Sequence, residues 1–260
     1  MAETARSPAP WRANFLAHVK DMDEPSFNLS TLHRIDDKTI VPRSRTVIYR
    51  GMWADMPVNS KNQAELNPKG FESDMPTLTS DARMEKVPEM LLSGQDADDK
   101  EMMQSGKGGP VEAVFWCSKA KTQWRLRGHT YIIGPDIGSD AVAPVRAAVE
   151  RHMRGSASEF SFTRELTAHF GNLSPMMRGT FRNPPPGTPL SETLSAGEAL
   201  GQMVEDLDDA VARKNFRVVI IVPEEVDQVD LSDPARVRRW NYLHVGEGTA
   251  GSWKITETWP

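Results

Sequence analysis

The alternation of apolar and polar residues predicts strands near both ends of the chain. Trp11, Phe15 and Val19 are spaced four apart and predict an amphipathic helix within residues 10–20. Residues 36–38 form a turn inside a predicted hairpin, which Pro42 is expected to interrupt. The pattern predicts strands at 27–35, 39–41, 45–49, 77–80, 111–118, 122–133, 216–222, 226–231, 238–245 and 252–258.

Helices are predicted mainly in the middle of the chain, at residues 140–153, 159–170 and 195–213. A further helix is expected at 82–92, with Asp81 as its N-cap and Pro88 as a break. Because strands flank a helical segment over about 139–213, the predicted fold is α+β, built round a closed or nearly closed antiparallel β-barrel with peripheral helices. Residues 1–260 are expected to form a single domain.

Residues 93–110 interrupt this pattern. They contain four glycines and four acidic residues but no aromatic residue. A segment of this composition has little apolar surface to bury, so we predict a flexible insert at about 93–110.

Composition and charge exclude several classes of protein. The 31 basic and 36 acidic residues give a formal net charge of −5, which argues against nucleic-acid binding. No apolar run reaches the roughly 18 residues of a membrane span, so no membrane partner is expected. The single cysteine, Cys117, excludes an intrachain disulfide and fits a reducing compartment. A cytoplasmic location is therefore expected.

Motifs of nucleophilic, nucleotide and metal chemistry are missing from the sequence. There is no G-x-G-x-x-G, P-loop, G-x-S-x-G or H-E-x-x-H pattern, and the six histidines lack metal-ligand spacing. No catalytic residue can be assigned, and no metal site is predicted.

Basic residues cluster in three predicted strand regions, at 43–50, 119–127 and 236–239. Strand periodicity places Arg45 on the side of Val47, whereas Arg50 shares the opposite side with Thr46 and Ile48. Two interpretations stay open from charge alone. The basic residues either form solvated outer faces of a barrel or converge on a phosphate, which guanidinium groups bind in bidentate geometry.

Five sequence segments resemble, in order, the FMN-binding split-barrel family typified by pyridoxamine 5'-phosphate oxidase, and the resemblance covers nearly the whole chain. The resemblance is closest to the FMN-binding, oxidase-like branch of that family. The segments are RTVIYRG at 45–51, TSDARMEK at 79–86, FW at 115–116 with QWRLRG at 123–128, LSP at 173–175 with Arg178, Phe181 and PPPG at 184–187, and RWNY at 239–242 with WKI at 253–255 and Pro260.

This resemblance implies FMN as the cofactor, bound in a cleft between the two subunits of a homodimer. It places Arg45 and Lys86 on the FMN phosphate, and Ser174 and Arg178 near the same group. The flavin ring would lie near the backbone of the segment Thr46, Val47 and Ile48, with Ser80 and Gln123 as hydrogen-bonding partners. Arg239 would reach the flavin from the partner subunit. Arg50 and Arg83 complete the implied cofactor-binding set.

The sequence departs from the better-known oxidases of this family at several positions. Met84 and Glu85 stand where those oxidases have a serine and an arginine. Arg83 is expected to take the place of that arginine, although it lies on a different side of the segment. Ala235 and Val237 replace an Arg-x-His pair that handles pyridoxamine. The preferred hypothesis is an FMN-dependent oxidoreductase acting on an unidentified small molecule. The alternatives are a true pyridoxamine or pyridoxine 5'-phosphate oxidase, or a non-catalytic flavin- or heme-binding module.

Overall fold

The computed structural model describes residues 7–92, 104–155, 160–192, 198–248 and 251–260. Most of the predicted strands are present. The strands are β1 Ser26–Arg34, β2 Ile40–Ile48, β3 Glu72–Ser73, β4 Thr77–Asp81, β5 Gly106–Cys117, β6 Thr122–Ile133, β7 Met153–Arg154, β8 Phe216–Asp230, β9 Arg238–Val245 and β10 Ser252–Thr258. The α-helices are α1 Arg12–Lys20, α2 Lys86–Leu92, α3 Ala143–Glu150, α4 Phe162–Gly171, α5 Pro175–Gly179 and α6 Ala210–Asn215.

Eight of these strands form one antiparallel sheet in the order β10-β9-β8-β6-β5-β1-β2, with β4 paired to the first part of β8. The chain at one end of this path, just after β2, returns to β4. The Arg50 N–H donates to the Thr77 carbonyl at 2.9 Å, and the Thr77 N–H donates to the Gly51 carbonyl at 2.9 Å. The sheet therefore curves until the end of β2 meets β4. This α+β architecture agrees with the predicted fold class.

The concave side of the sheet holds the first hydrophobic core. Phe27 and Phe115 stack there with ring centroids 4.4 Å apart, and Trp124 is fully buried beside them. Helix α1 closes this core, because Phe15 lies 5.0 Å from the Phe115 ring and 5.7 Å from the Trp124 ring. Cys117 is buried at the same core, and burial raises the pKa of its thiol to about 11, as expected for an unreactive cysteine.

A second core covers only part of the convex side. Tyr131 on β6 and Ile220 on β8 pack there with Phe170 of α4 and with Phe216. The other half of the convex side, from Gln123 to Arg127 on β6, carries half-buried polar side chains. We call this region the open face. It leaves a large polar surface of the sheet free of helices in the described residues.

Two strand predictions were wrong in detail. Pro42 does not interrupt β2, because β2 pairs with β1 and its other edge at Pro42 has no strand neighbour among the described residues. Strand β8 runs on through Pro223, since Glu224 is an extra residue that forms a bulge opposite Gly128. A side chain at Gly128 would meet the Val222 carbonyl oxygen, so this close approach requires glycine.

Two helix predictions and part of the insert prediction were also wrong. Helix α2 begins at Lys86, since Asp81 ends β4 and accepts hydrogen bonds from Arg83, and Pro88 is tolerated in the first turn. Between 198 and 209 the chain is not helical, and Gly201 has a φ of +76°. Residues 106–110 belong to β5, whereas 93–103 lie outside the described residues.

Candidate functional site

A pocket of about 420 Å³ opens between the end of β2, strand β4 and the segment that contains α5. Its polar wall is formed by Arg50, Thr79, Ser80 and Asp81. Its other wall is largely apolar and comprises Met84, Leu173, Met177, Phe181, Pro184 and Pro186. A pocket with one apolar wall and a few directed polar groups has the general character of a cofactor site.

Arg50 is the cation in this pocket. Its guanidinium is half-buried and donates from Nε to Thr79 Oγ1 at 3.4 Å. Burial lowers the pKa of Arg50. Within the described part of the chain, no carboxylate lies at ion-pair distance from it. The guanidinium is therefore held in place by a neutral hydroxyl and keeps donors for an anionic ligand.

Lys86 lies just behind the pocket, at the start of α2. The residue is only 9% exposed, and its Nζ lies 2.7 Å from the Sδ atom of Met84. The Ser80 hydroxyl lies 3.8 Å from the same sulfur. Burial, and secondly the charge of Arg45, lower the pKa of Lys86. A thioether is a weak acceptor, so this buried ammonium lacks a strong partner in the described residues.

Arg45 points from β2 toward α2, on the inner side of the sheet. It donates to Thr31 Oγ1 and to Glu89 Oε2, both at 2.6 Å. Glu89, on α2, is 6% exposed. Arg45 and Lys86 therefore come close enough to influence each other electrostatically, with Glu89 balancing one of the two charges. No sequence pattern singled out Glu89.

Three other predicted site residues make contacts of their own. Arg83 forms an ion pair with Asp81 at 2.7 Å, which raises the pKa of Arg83. Ser174 caps α5 by accepting a hydrogen bond from the Met177 N–H. Arg178 donates from Nε to the Val204 carbonyl at 2.8 Å, and its guanidinium lies over the Phe170 ring. Their neighbours Met177 and Phe181 line the pocket, a wall that the sequence analysis did not assign.

The Thr46–Ile48 strand segment divides between the two sides of the sheet. Val47 is buried in the first core, whereas Thr46 and Ile48 face outward. The Thr46 hydroxyl donates to Asn28 Oδ1 at 3.0 Å, and Ile48 is exposed. This arrangement follows the strand period expected from the sequence.

Gln123 and Arg239 lie on the open face. The sheet register sets Gln123 on β6 and Arg239 on β9 at either side of Val229. Arg239 donates from Nε to Asp227 Oδ2 at 2.9 Å, and Arg125 donates to the other oxygen of Asp227 at 3.1 Å. Neither Gln123 nor Arg239 lines the 420 Å³ pocket of its own chain.

A protein-family model matches the amino-terminal part of the chain. Residues 8–134 match the family model of the pyridoxamine 5'-phosphate oxidase FMN-binding domain. This match includes the strands that carry Arg45, Ser80 and Gln123, together with Lys86. No curated protein matches the chain.

One solved structure shares the fold across nearly the whole chain. A pyridoxamine 5'-phosphate oxidase-related, FMN-binding protein from Nostoc punctiforme PCC 73102 is 19% identical, with a TM-score of 0.61 over 98% of this chain and 100% of its own. PhzG from Burkholderia lata 383, in complex with tetrahydrophenazine-1-carboxylic acid, is 13% identical, with a TM-score of 0.45 over 96% of this chain and 89% of its own. Among the described residues, no helix is long and apolar enough to cross a membrane.

Proposed function

We propose that the protein is an FMN-dependent oxidoreductase, because residues 8–134 match the family model of the pyridoxamine 5'-phosphate oxidase FMN-binding domain. Its substrate is a small molecule, and its curved sheet is an FMN-binding split barrel. The active form is a homodimer with FMN at the subunit interface, and it works in the cytoplasm.

The observation that carries this proposal is the buried ammonium of Lys86 beside Arg45. The charge of Arg45 lowers the pKa of Lys86, and two such cations are unfavourable neighbours unless an anion joins them. Here Glu89 balances Arg45, whereas Lys86 contacts only a thioether sulfur among the described groups. The phosphate of FMN is a dianion and supplies the missing partner.

The other residues of the pocket fit the rest of the cofactor. Ser80 and Arg50 would hold polar groups of FMN, and the wall formed by Met84, Met177 and Phe181 would cover its ring. When bound, FMN supplies a two-electron acceptor or donor, so the protein needs no nucleophile of its own. The chain's own part is to bind the phosphate, orient the ring and exclude water from one of its faces.

The open face supports the homodimer. Gln123 and Arg239 belong to the implied FMN-binding set but lie outside the pocket of their own chain. A second copy that packs against the open face would bring its Gln123 and Arg239 to the pocket. Ile48 and Trp116 provide exposed apolar surface on the same side of the sheet, with Trp116 49% exposed.

The native protein should elute as a homodimer that carries two FMN molecules. Light scattering during gel filtration gives the mass, and absorbance near 450 nm with chemical identification of the released flavin gives the stoichiometry. The physical reason is that each site needs residues from both chains. A monomer that holds FMN at full occupancy would contradict the shared site, and a dimer that binds no flavin when FMN is supplied would contradict the function.

A further inference from the structure

A second cleft, of about 660 Å³, lies on the convex side of the sheet, next to the open face. The end of α3 and the β9–β10 turn form its rim, and the convex side of β6 and β8 forms its floor. The polar side chains that line it come from four strands, one helix and this turn: Lys107, Arg127, His129, Tyr131, Arg151, His152, Glu224, Glu225, His244 and Glu247.

Tyr131 and two cations of this cleft have no partner in the described part of the chain. Tyr131 is 5% exposed, yet its hydroxyl makes no hydrogen bond with any described residue. No described carboxylate lies within ion-pair distance of Lys107 or Arg151. Lys107 and Arg151 are exposed, and all three side chains border an open cleft that a ligand can enter, so their donors are free to bind it.

Two of the three carboxylates in the cleft have hydrogen-bonding partners. Glu224 lies 2.8 Å from the His129 ring, and Glu225 accepts from Arg127 at 2.9 Å and from Asn241 at 2.7 Å. Glu247 is exposed on the β9–β10 turn. The cleft therefore carries as many carboxylates as cations, and Lys107 and Arg151 are the two cations of its lining that pair with no described carboxylate. The three histidines form no metal site with other described residues.

We propose that this cleft binds a small molecule through a dianionic phosphate or sulfate group held by Lys107, Tyr131 and Arg151. Two full positive charges match a dianion, and donors that arrive from β5, β6 and α3 can reach different oxygens of a tetrahedral group. The volume leaves room for an organic part beyond the anion. His152 and His244 provide further hydrogen-bonding groups for that part.

The cleft is separate from the proposed FMN site. Gln123 and His129 lie six residues apart on β6, which corresponds to about 20 Å along a strand. None of the residues that line the 420 Å³ pocket lines this cleft. The inference therefore does not depend on the proposed function.

Burial, and then the charges of His129, His244 and Arg151, lower the pKa of His152 to about 4, whereas Glu224 raises it. His152 is therefore neutral between about pH 6.5 and pH 8, and it offers a hydrogen-bonding nitrogen to the organic part of a ligand.

Calorimetric titration of the FMN-loaded protein with sulfate, which stays dianionic over this pH range, tests the proposal at constant ionic strength. We expect one site per chain, affinity about tenfold weaker in Arg151→Ala, and severalfold weaker in Tyr131→Phe. Arg43→Ala, which removes the same charge from an exposed position on β2, should bind sulfate like the native protein.

Three results would overturn the proposal. The first is an absence of saturable sulfate binding, and the second is equal weakening by Arg151→Ala and Arg43→Ala. The third is loss of FMN absorbance from the Arg151→Ala variant, because the cleft would then hold the phosphate of FMN itself. Loss of the sulfate site with normal FMN content would leave the proposed function untouched.

Discussion

The Lys86→Met variant should bind FMN about 10- to 100-fold more weakly than the native protein, while its FMN-free form becomes more stable. A charge-assisted hydrogen bond to phosphate contributes about 1.5–3 kcal/mol, which sets the loss of affinity. The gain in stability has a different cause. The folded state lowers the pKa of Lys86, so the unfolded state holds the proton more tightly and the buried charge destabilises the FMN-free fold at neutral pH.

The two effects require two measurements on the same variant. Fluorescence titration gives the dissociation constant for FMN, and thermal unfolding of the FMN-free protein gives its stability. Lys38→Met, in the exposed turn between β1 and β2, removes the same charge and should change neither quantity appreciably. An FMN affinity within twofold of the native value in Lys86→Met would show that Lys86 does not bind the phosphate.

Pyridoxamine 5'-phosphate should be oxidised orders of magnitude more slowly than by a dedicated oxidase, or not at all. Ala235 and Val237 stand where the resemblance places the pair that contacts pyridoxamine, and neither side chain donates a hydrogen bond or carries a charge. Ala235 is exposed in the segment between β8 and β9. Polar groups of the substrate would stay unpaired. The lost hydrogen bonds would raise the free energy of the transition state by on the order of several kcal/mol.

Steady-state production of peroxide by the FMN-loaded protein measures this activity. The Ala235→Arg, Val237→His double variant serves as the matched control, because it restores the two polar groups and should raise the rate. A native turnover of about one per second or faster lies in the ordinary range for enzymes and would mean that the protein is a true oxidase of this substrate.

Strands β1, β5 and β6 could be predicted from the sequence largely because one face of each is buried. The bounds of β9 and β10 agree with the alternation of the sequence, and β6 runs over 122–133 as predicted. The errors lie where a tertiary contact prevails over a local sequence rule. Pro223 indicates a strand end by itself, yet the bulge at Glu224 and the glycine at 128 let β8 continue.

The candidate site was predictable only in part. The motifs pointed to Arg45, Ser80 and Lys86, and the structure gathers them around α2 and the pocket. The burial of Lys86 against Met84 depends on the residue at which α2 begins. The periodicity of the sequence does not predict that residue. The contact of Arg178 with the Val204 carbonyl joins positions 26 residues apart, which a sequence pattern does not encode.

Parallel titrations of the FMN-free protein with FMN and with riboflavin test the central claim most directly. The account predicts that FMN binds at least about tenfold more tightly, because riboflavin lacks the phosphate that Lys86 and Arg45 are proposed to hold. Equal affinities for the two flavins would contradict it.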